Sequence, residues 1–313
     1  MNFKTAPHRI LFISLSNIGD VVMTTPVLRA LHVYFPEATI DIVADSRSAE
    51  IFKHCPYREE LFFKHKRELF RGGWSLLKAL RKRYYDLIVD LRTDGFAYLL
   101  RGNKRLTKWH RKNTGLHSVE QHMSIISSIY IPGQIPSCHI WLSETELHFA
   151  NQILDPYKGK RLLGVGPGAN SRKKIWPADR FVSLVDRLRD QFDAVILFGS
   201  KRDHLYAEYI YSRISLPCIN LCEKTTLLQA AAVLGHIKLY LGNDSGLGHM
   251  AAAMGKPTMT IFGPGEPERY RPWAERAMLV IGDGHDINRV TVDDVVNILD
   301  KEYFRHSLSV KKT

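Results

Sequence analysis

The sequence reads Asp244-Ser-Gly-Leu-Gly-His-Met-Ala-Ala-Ala-Met-Gly-Lys-Pro257 directly after a largely apolar run at residues 237–241. Such a run is typical of a buried parallel strand, and Gly242, Gly246 and Gly248 let the backbone after it turn tightly and approach a ligand. The alanines keep the following helix slim, and the free N–H groups at its start attract phosphate oxygens. The pattern therefore predicts a strand–turn–helix unit that can hold a phosphate group.

Strands and helices alternate on both sides of this unit, which predicts an α/β fold with doubly wound parallel sheets. The first series of predicted strands covers residues 10–14, 39–43, 60–63 and 87–90, with helices at 21–34, 48–54 and 73–83. The second series covers residues 162–165, 194–198, 218–221, 239–242 and 258–262, with helices at 178–192, 204–213 and 227–234. The alternation lapses over 101–115, and helices are predicted at 119–129, 144–154 and 291–303. Two sheets in tandem, divided near Asp155-Pro-Tyr-Lys-Gly159, are the economical interpretation.

Several motifs occur in a fixed order along the chain. Ser16-Asn-Ile-Gly-Asp20 follows the first strand, and Lys174-Ile-Trp-Pro177 follows the first strand of the second series. Asp244-Ser-Gly-x-x-His249 is followed by an alanine-rich helix, Gly255-Lys-Pro257 and Phe262-Gly-Pro264. Together these motifs resemble the signature of glycosyltransferase family 9, the lipopolysaccharide heptosyltransferases.

The resemblance implies the GT-B architecture, in which two Rossmann-like domains with parallel sheets face each other across a cleft. By analogy, residues 1–156 form an acceptor-binding domain and residues 157–313 a nucleotide-sugar donor-binding domain, from which the final helix crosses back to the first. The implied reaction is an inverting transfer of heptose from ADP-heptose to the inner core of lipopolysaccharide. Two alternatives stay open: the same fold using a different nucleotide sugar, and a non-catalytic nucleotide-sugar or polyanion-binding protein.

Composition is consistent with this interpretation. The chain has 313 residues, of which 45% are hydrophobic and 24% charged, enough for substantial cores. It lacks both an uninterrupted apolar run of ~20 residues and the layout of a secretory signal, so we expect cytoplasmic residence. The four cysteines (Cys55, Cys138, Cys218, Cys222) are not in a CxxC arrangement, and we expect reduced thiols without a zinc site.

Glycosyl transfer requires a base for the acceptor proton and positive charge for the departing diphosphate. Asp20 is the candidate base, because it follows the first strand at the edge where open α/β sheets place their ligands. A helix N-cap is the other interpretation of this residue, and the two roles are compatible. Lys174 is the candidate that neutralises the leaving diphosphate. The sequence lacks an Asp-x-Asp motif, so we expect no metal and no cofactor besides the donor substrate.

The remaining donor contacts follow from the resemblance. They are predicted at Ser16, Gly19, Asn170, Asn220, Asp244, Ser245, Gly246, Leu247 and His249. Asn220 stands where some heptosyltransferases have a ribose-binding Glu, so the contacts to the nucleoside are less well defined than those to the diphosphate. For Asp244 and Ser245, simple capping of the helix is the alternative.

Positive charge is concentrated in the first half of the chain. Residues 53–112 hold 17 Lys and Arg against 6 Asp and Glu, a net charge of +11, whereas the whole chain carries +12. A field of this kind attracts polyanions or an anionic membrane surface. The basic residues predicted to bind an anionic acceptor are Arg101, Lys104, Arg105, Lys108, Arg111 and Lys112. A solvated helix face with a mobile basic loop is the alternative interpretation.

The implied partners are the nucleotide-sugar donor and the anionic lipopolysaccharide core. The basic region also predicts peripheral contact with the cytoplasmic face of the inner membrane. Nucleic acid is not expected, because no helix-turn-helix, RRM or zinc-finger signature accompanies the basic residues. The acceptor sugar, whether Kdo or a first or second heptose, and the oligomeric state do not follow from the sequence.

Overall fold

The computed structural model describes residues 6–64, 71–92, 95–111, 117–130 and 133–305. The chain divides into two compact units, Met1–Trp141 and Leu142–Thr313. The second unit starts earlier than the predicted boundary at residue 156, because helix α5 (Glu144–Leu154) packs against helix α8 (Leu227–Leu234) of that unit.

The first unit is built around a five-stranded parallel sheet with the strand order β3-β2-β1-β4-β5. Its strands are β1 (Arg9–Ile13), β2 (Thr39–Asp45), β3 (Arg58–Lys64), β4 (Tyr85–Asp90) and β5 (Gly102–Thr107). Its described helices are α1 (Ile18–Val22), α2 (Thr25–Tyr34), α3 (Arg71–Leu80) and α4 (Ser118–Ile125). Short 3₁₀ turns cover Ala49–Phe52, Phe96–Leu99 and Lys108–His110.

The second unit is built around a six-stranded parallel sheet with the strand order β11-β10-β9-β6-β7-β8. Its strands are β6 (Leu162–Gly166), β7 (Ala194–Leu197), β8 (Cys218–Asn220), β9 (Leu239–Asn243), β10 (Thr258–Phe262) and β11 (Ala277–Ile281). Besides α5 and α8, its helices are α6 (Ala178–Arg187), α7 (His204–Tyr211), α9 (Gly246–Ala253), α10 (Pro267–Tyr270) and α11 (Val292–Leu299), the last followed by a π-type turn at Asp300–Phe304.

Both sheets have a topological switch point, where the strand order reverses. In the first sheet it lies between β1 and β4, and in the second between β6 and β9. Open α/β sheets bind their ligands in the crevice outside the carboxyl ends of the strands at such points. The loops that follow β1, β4, β6 and β9 are therefore the places to look for functional side chains.

The prediction of a doubly wound parallel fold is confirmed, but strand β5 was not predicted. It occupies part of the segment 101–115, for which no strand was predicted, and it pairs in parallel with β4 as the edge strand of the sheet. Asn103, Lys104 and Arg105 interrupt its apolar pattern. Cationic side chains are common on edge strands because they discourage pairing with other chains.

Among the described residues, no helix is long and apolar enough to cross a membrane. All four cysteines are free thiols, as expected.

Candidate active site

The switch point of the second sheet is organised by one buried amide, that of Asn243 at the end of β9. Its Oδ1 accepts a hydrogen bond from the backbone N–H of Trp176 at 3.1 Å. Its Nδ2 donates to the carbonyl oxygen of Pro167 at 2.6 Å. Asn243 is completely buried. It therefore fixes the segment after β6 and the Lys-x-Trp-Pro segment against the end of β9, and sequence reasoning did not find this role.

The Trp176 side chain anchors the same segment to the core of the second unit. Its indole N–H donates to the carbonyl oxygen of Val290 at 2.9 Å, and its ring packs edge-to-face on Phe181 with centroids 5.0 Å apart. The ring is fully buried in the core of the unit. The tryptophan of the Lys-x-Trp-Pro motif is thus a structural anchor, and it holds the lysine two residues earlier at the carboxyl end of the sheet.

Lys174 and Asp244 form an ion pair at the carboxyl end of the second sheet. The Nζ atom of Lys174 lies 2.5 Å from Oδ2 of Asp244, and the side chains are 26% and 12% exposed. A third segment, after β10, approaches the pair, because a Cβ built on Gly265 would lie 3.9 Å from Nζ and 3.7 Å from Oδ2. Segments following three neighbouring strands, β6, β9 and β10, thus converge on one ion pair.

Helix α9 begins beside this pair. Ser245 precedes the helix with an extended backbone (φ −149°), and its side chain does not cap the helix. Capping by Ser245 was the alternative interpretation of this motif, and the structure does not show it. Gly246 and Leu247, which open the helix, are half-buried, and His249 is buried. The helix therefore starts two residues after Asp244, the residue that pairs with Lys174.

Tyr240 of β9 packs its ring where two glycines make room for it. A Cβ on Gly166 would lie 2.0 Å from the Tyr240 hydroxyl, and one on Gly242 would lie 2.6 Å from it. Burial raises the pKa of this hydroxyl far above its ordinary value, while Ser245 acts in the opposite direction. Tyr240 is therefore a neutral phenol that packs beneath the ends of β6 and β9.

The two asparagines predicted to contact the donor differ in their surroundings. Asn170 is exposed in the segment after β6. Asn220 is buried, where its Nδ2 donates to Oε1 of Glu208 at 2.6 Å and its Oδ1 accepts from the N–H of Cys222 at 3.0 Å. Both polar atoms of the Asn220 amide are engaged within the protein, which gives this residue a structural role in its loop.

In the first unit, Asp20 lies in the first turn of α1, directly after β1 and its loop. Its Oδ2 accepts a hydrogen bond from Nδ2 of Asn17 at 2.9 Å. Asn17, and not Asp20, is the N-cap residue, so the capping interpretation of Asp20 is wrong. Ser16 and Gly19, predicted to contact the donor, are half-buried in the same loop and helix.

Two further carboxylates lie at the carboxyl ends of the two strands that flank β1, and sequence reasoning missed both. Asp45 ends β2 and forms a two-pronged ion pair with Arg47, with N–O distances of 2.8 and 3.0 Å. Burial acts to raise the pKa of Asp45, but its interactions with Arg47 outweigh burial and hold that pKa below its ordinary value. Asp90 ends β4, is fully buried and accepts a hydrogen bond from the N–H of Arg92. The acidic ends of these strands carried a signal, since each follows an apolar run.

Five of the six predicted acceptor-binding residues lie in or next to β5, and Lys112 lies outside the described residues. Arg101, Lys108 and Arg111 are exposed, and burial lowers the pKa of Lys104. Arg105 differs, because its guanidinium donates to the carbonyl oxygens of Ala97, Leu100 and Gly102 at 2.7–3.1 Å. These hydrogen bonds fasten the turn at Phe96–Leu99 to β5.

The sequence profile described as glycosyltransferase family 9 (heptosyltransferase) matches residues 94–295. The chain belongs to glycosyltransferase family 9. It is 27% identical over 286 residues to lipopolysaccharide heptosyltransferase 3 of Escherichia coli K12, covering 82% of this chain and 83% of the relative. It is also 27% identical over 312 residues to lipooligosaccharide heptosyltransferase 2 of Haemophilus ducreyi, covering 87% and 88%.

Solved structures agree with this assignment. The structure of E. coli ADP-heptose lps heptosyltransferase II superimposes with a TM-score of 0.78 at 25% identity, over 96% of this chain and 99% of that one. A family 9 glycosyltransferase from Veillonella parvula gives a TM-score of 0.83 at 19% identity, over 95% and 97%. The two parallel-sheet units of this glycosyltransferase are those of the GT-B fold.

Asn243→Asp is expected to destabilise this glycosyltransferase in a pH-dependent way. An ionised carboxylate would face the carbonyl oxygen of Pro167 in place of a donor, costing at least ~2 kcal/mol of unfolding free energy near neutral pH. Burial and the carbonyl raise the folded-state pKa of the new carboxyl, so the variant loses stability as pH rises through that pKa. Chemical denaturation of both proteins at acidic and neutral pH measures the difference. A stability gap that does not widen with pH would contradict the role of Asn243.

Proposed function

We propose that this family 9 glycosyltransferase transfers heptose from ADP-heptose to the inner core of lipopolysaccharide, with inversion at the anomeric carbon. The observation that carries the proposal is the Lys174–Asp244 pair beside the uncapped start of α9, at the switch point of the second sheet. The naming of its relatives as lipopolysaccharide and lipooligosaccharide heptosyltransferases supports the sugar and the acceptor.

The second unit supplies the donor site in this proposal. The diphosphate of ADP-heptose accepts hydrogen bonds from the first N–H groups of α9, where the helix dipole favours negative charge. Lys174 neutralises the charge that grows on the diphosphate as the anomeric C–O bond breaks. Asn170 and Ser245 contribute further polar contacts. Asp244 orients Lys174 through its Oδ2 atom, and its other carboxylate oxygen can accept hydrogen bonds from sugar hydroxyls.

The first unit supplies the base. Asp20, oriented by Asn17, takes the proton of the acceptor hydroxyl as that oxygen attacks the anomeric carbon from the face opposite the ADP. The new C–O bond forms as the bond to the diphosphate breaks, so the products are ADP and an inverted glycoside. No metal is required, because Lys174 and the α9 N–H groups provide the positive charge.

The acceptor side of the proposal rests on charge. Lipopolysaccharide inner core carries carboxylates and phosphates, and Arg101, Lys108 and Arg111 present exposed cations near the edge of the first sheet. The core is anchored by lipid A, so we place the enzyme peripherally on the cytoplasmic face of the inner membrane.

The decisive experiment mixes the purified enzyme with ADP-heptose and a panel of truncated lipopolysaccharide cores, with EDTA present throughout, and measures ADP release. We expect release with one core structure only. Release that occurs only when a divalent cation is added in excess over the EDTA would contradict the metal-free mechanism. An absence of release on every core, together with a failure to bind ADP-heptose, would contradict the donor.

The same assay tests a different nucleotide sugar as donor. This alternative is included because the Asn220 amide, predicted to contact the donor, is hydrogen-bonded within the protein. The loop that follows it also has an unusual backbone, with Glu223 in the left-handed region (φ 63°). Release of UDP or GDP from a sugar donor, with none of ADP, would replace ADP-heptose in the proposal and leave the Lys174 site unchanged.

A further inference from the structure

Three large apolar side chains lie exposed together beside β5. Tyr98 and Leu99, in the turn at Phe96–Leu99, are 47% and 56% exposed, and Trp109, after β5, is 67% exposed. The rings of Tyr98 and Trp109 have centroids 5.4 Å apart with a tilt of 32°. Contiguous exposed apolar side chains of this size mark an interaction surface more often than scattered single ones do.

The surface is held in place by the fold. Arg105 donates to the carbonyl oxygens of Ala97 at 3.1 Å and Leu100 at 2.7 Å, one on each side of Tyr98 and Leu99. Ala97 and Leu100 are themselves buried in the core of the first unit. The turn therefore presents Tyr98 and Leu99 outward from a fixed backbone.

Charge identifies the occupant. Residues 95–111 contain five Lys and Arg and no Asp or Glu. Arg101, Lys108 and Arg111 are exposed close to the aromatic residues in sequence. Tyrosine and tryptophan favour the water–hydrocarbon boundary of a bilayer, and Lys and Arg favour its anionic headgroups. Leu99 has no ring with which to stack a nucleotide base, which favours lipid over single-stranded nucleic acid.

We propose that the surface formed by Tyr98, Leu99 and Trp109 docks on an anionic lipid bilayer. The three side chains enter the interfacial layer, and the neighbouring cations contact the headgroups. This inference deepens the proposed function, since it rests on a lipid-anchored acceptor for its purpose, but the binding itself requires no lipopolysaccharide. It also gives Arg105 its part, which is to position the docking turn.

The test is co-sedimentation of the full chain with vesicles of phosphatidylethanolamine and phosphatidylglycerol that contain no lipopolysaccharide. Tyr98→Ala combined with Trp109→Ala is expected to lower the partition coefficient at least ~10-fold, because each ring loses its interfacial burial. The matched control is Tyr211→Ala combined with Leu205→Ala in the second unit, where the side chains are 47% and 80% exposed. Vesicles of phosphatidylcholine alone are expected to bind the unaltered chain at least ~10-fold more weakly.

A second readout separates docking from catalysis. The Tyr98/Trp109 variant is expected to lose transfer to acceptor embedded in vesicles and to keep transfer to a delipidated, water-soluble core. Unchanged vesicle binding in that variant, or an equal loss in the control, would overturn the inference. If no core is an acceptor but vesicle binding behaves as expected, the proposed function fails and the docking surface stands. Circular dichroism confirms that each variant is folded.

Discussion

Asp20→Asn is expected to lower turnover at least ~100-fold, as for other enzymes that lose a general base. The amide cannot take the acceptor proton, but its oxygen can still accept the hydrogen bond from Asn17 that orients Asp20. The change therefore removes basicity with little change in shape. Steady-state rates of ADP release, with ADP affinity measured separately by calorimetry, separate the loss of chemistry from a loss of donor binding.

The control for this prediction is Glu37→Gln. Glu37 is exposed and lies two residues before β2, at the amino end of the strand, whereas Asp20 follows the carboxyl end of β1. This control removes one carboxylate charge from the same unit and is expected to change the rate by less than ~2-fold, as surface substitutions usually do. Near-normal turnover of Asp20→Asn would show that another group, or water, accepts the proton.

Much of the fold was predictable because a buried parallel strand has a recognisable sequence pattern. Strands such as β6 and β9 are apolar and end at glycine or a polar residue, and the spacing between them leaves room for a helix. Strand β11 has an equally apolar sequence but was not predicted, because only the four-residue helix α10 separates it from β10. Strand β5 was missed because its sequence is not apolar. As an edge strand facing solvent, it tolerates Asn103, Lys104 and Arg105.

The candidate site was predictable only in part. Motifs with a known family pattern, such as those containing Asp20, Lys174 and Asp244, are visible in one dimension. The bridge made by Asn243 is not, because its two partners lie 67 and 76 residues away and become neighbours only when β9 pairs with β6. The inward role of Asn220 was hidden for the same reason: its partner Glu208 belongs to a helix that packs beside β8.

Lys174→Ala is expected to lower turnover by ~100- to 1,000-fold, the range found when a group that stabilises developing negative charge is removed. Arginine is not an equivalent replacement, because its planar fork differs from a compact ammonium group in shape and donor geometry. Lys173→Ala is the matched control. Lys173 is the preceding residue and is exposed, so this control removes the same charge from the same segment and is expected to leave turnover within ~2-fold.

Asp244 provides the sharper test of what Lys174 does. Without the lysine, the Asp244 carboxylate stands unpaired next to the place proposed for the diphosphate, so ADP affinity should fall through charge repulsion as well as through the lost contact. Adding Asp244→Asn to Lys174→Ala removes that repulsion and should restore part of the ADP affinity, while turnover stays low because the neutralising charge is still missing. Calorimetric titration of ADP into the single and double variants measures this non-additivity. An ADP affinity that falls further in the double variant would mean that the ion pair shapes the loop without facing the diphosphate.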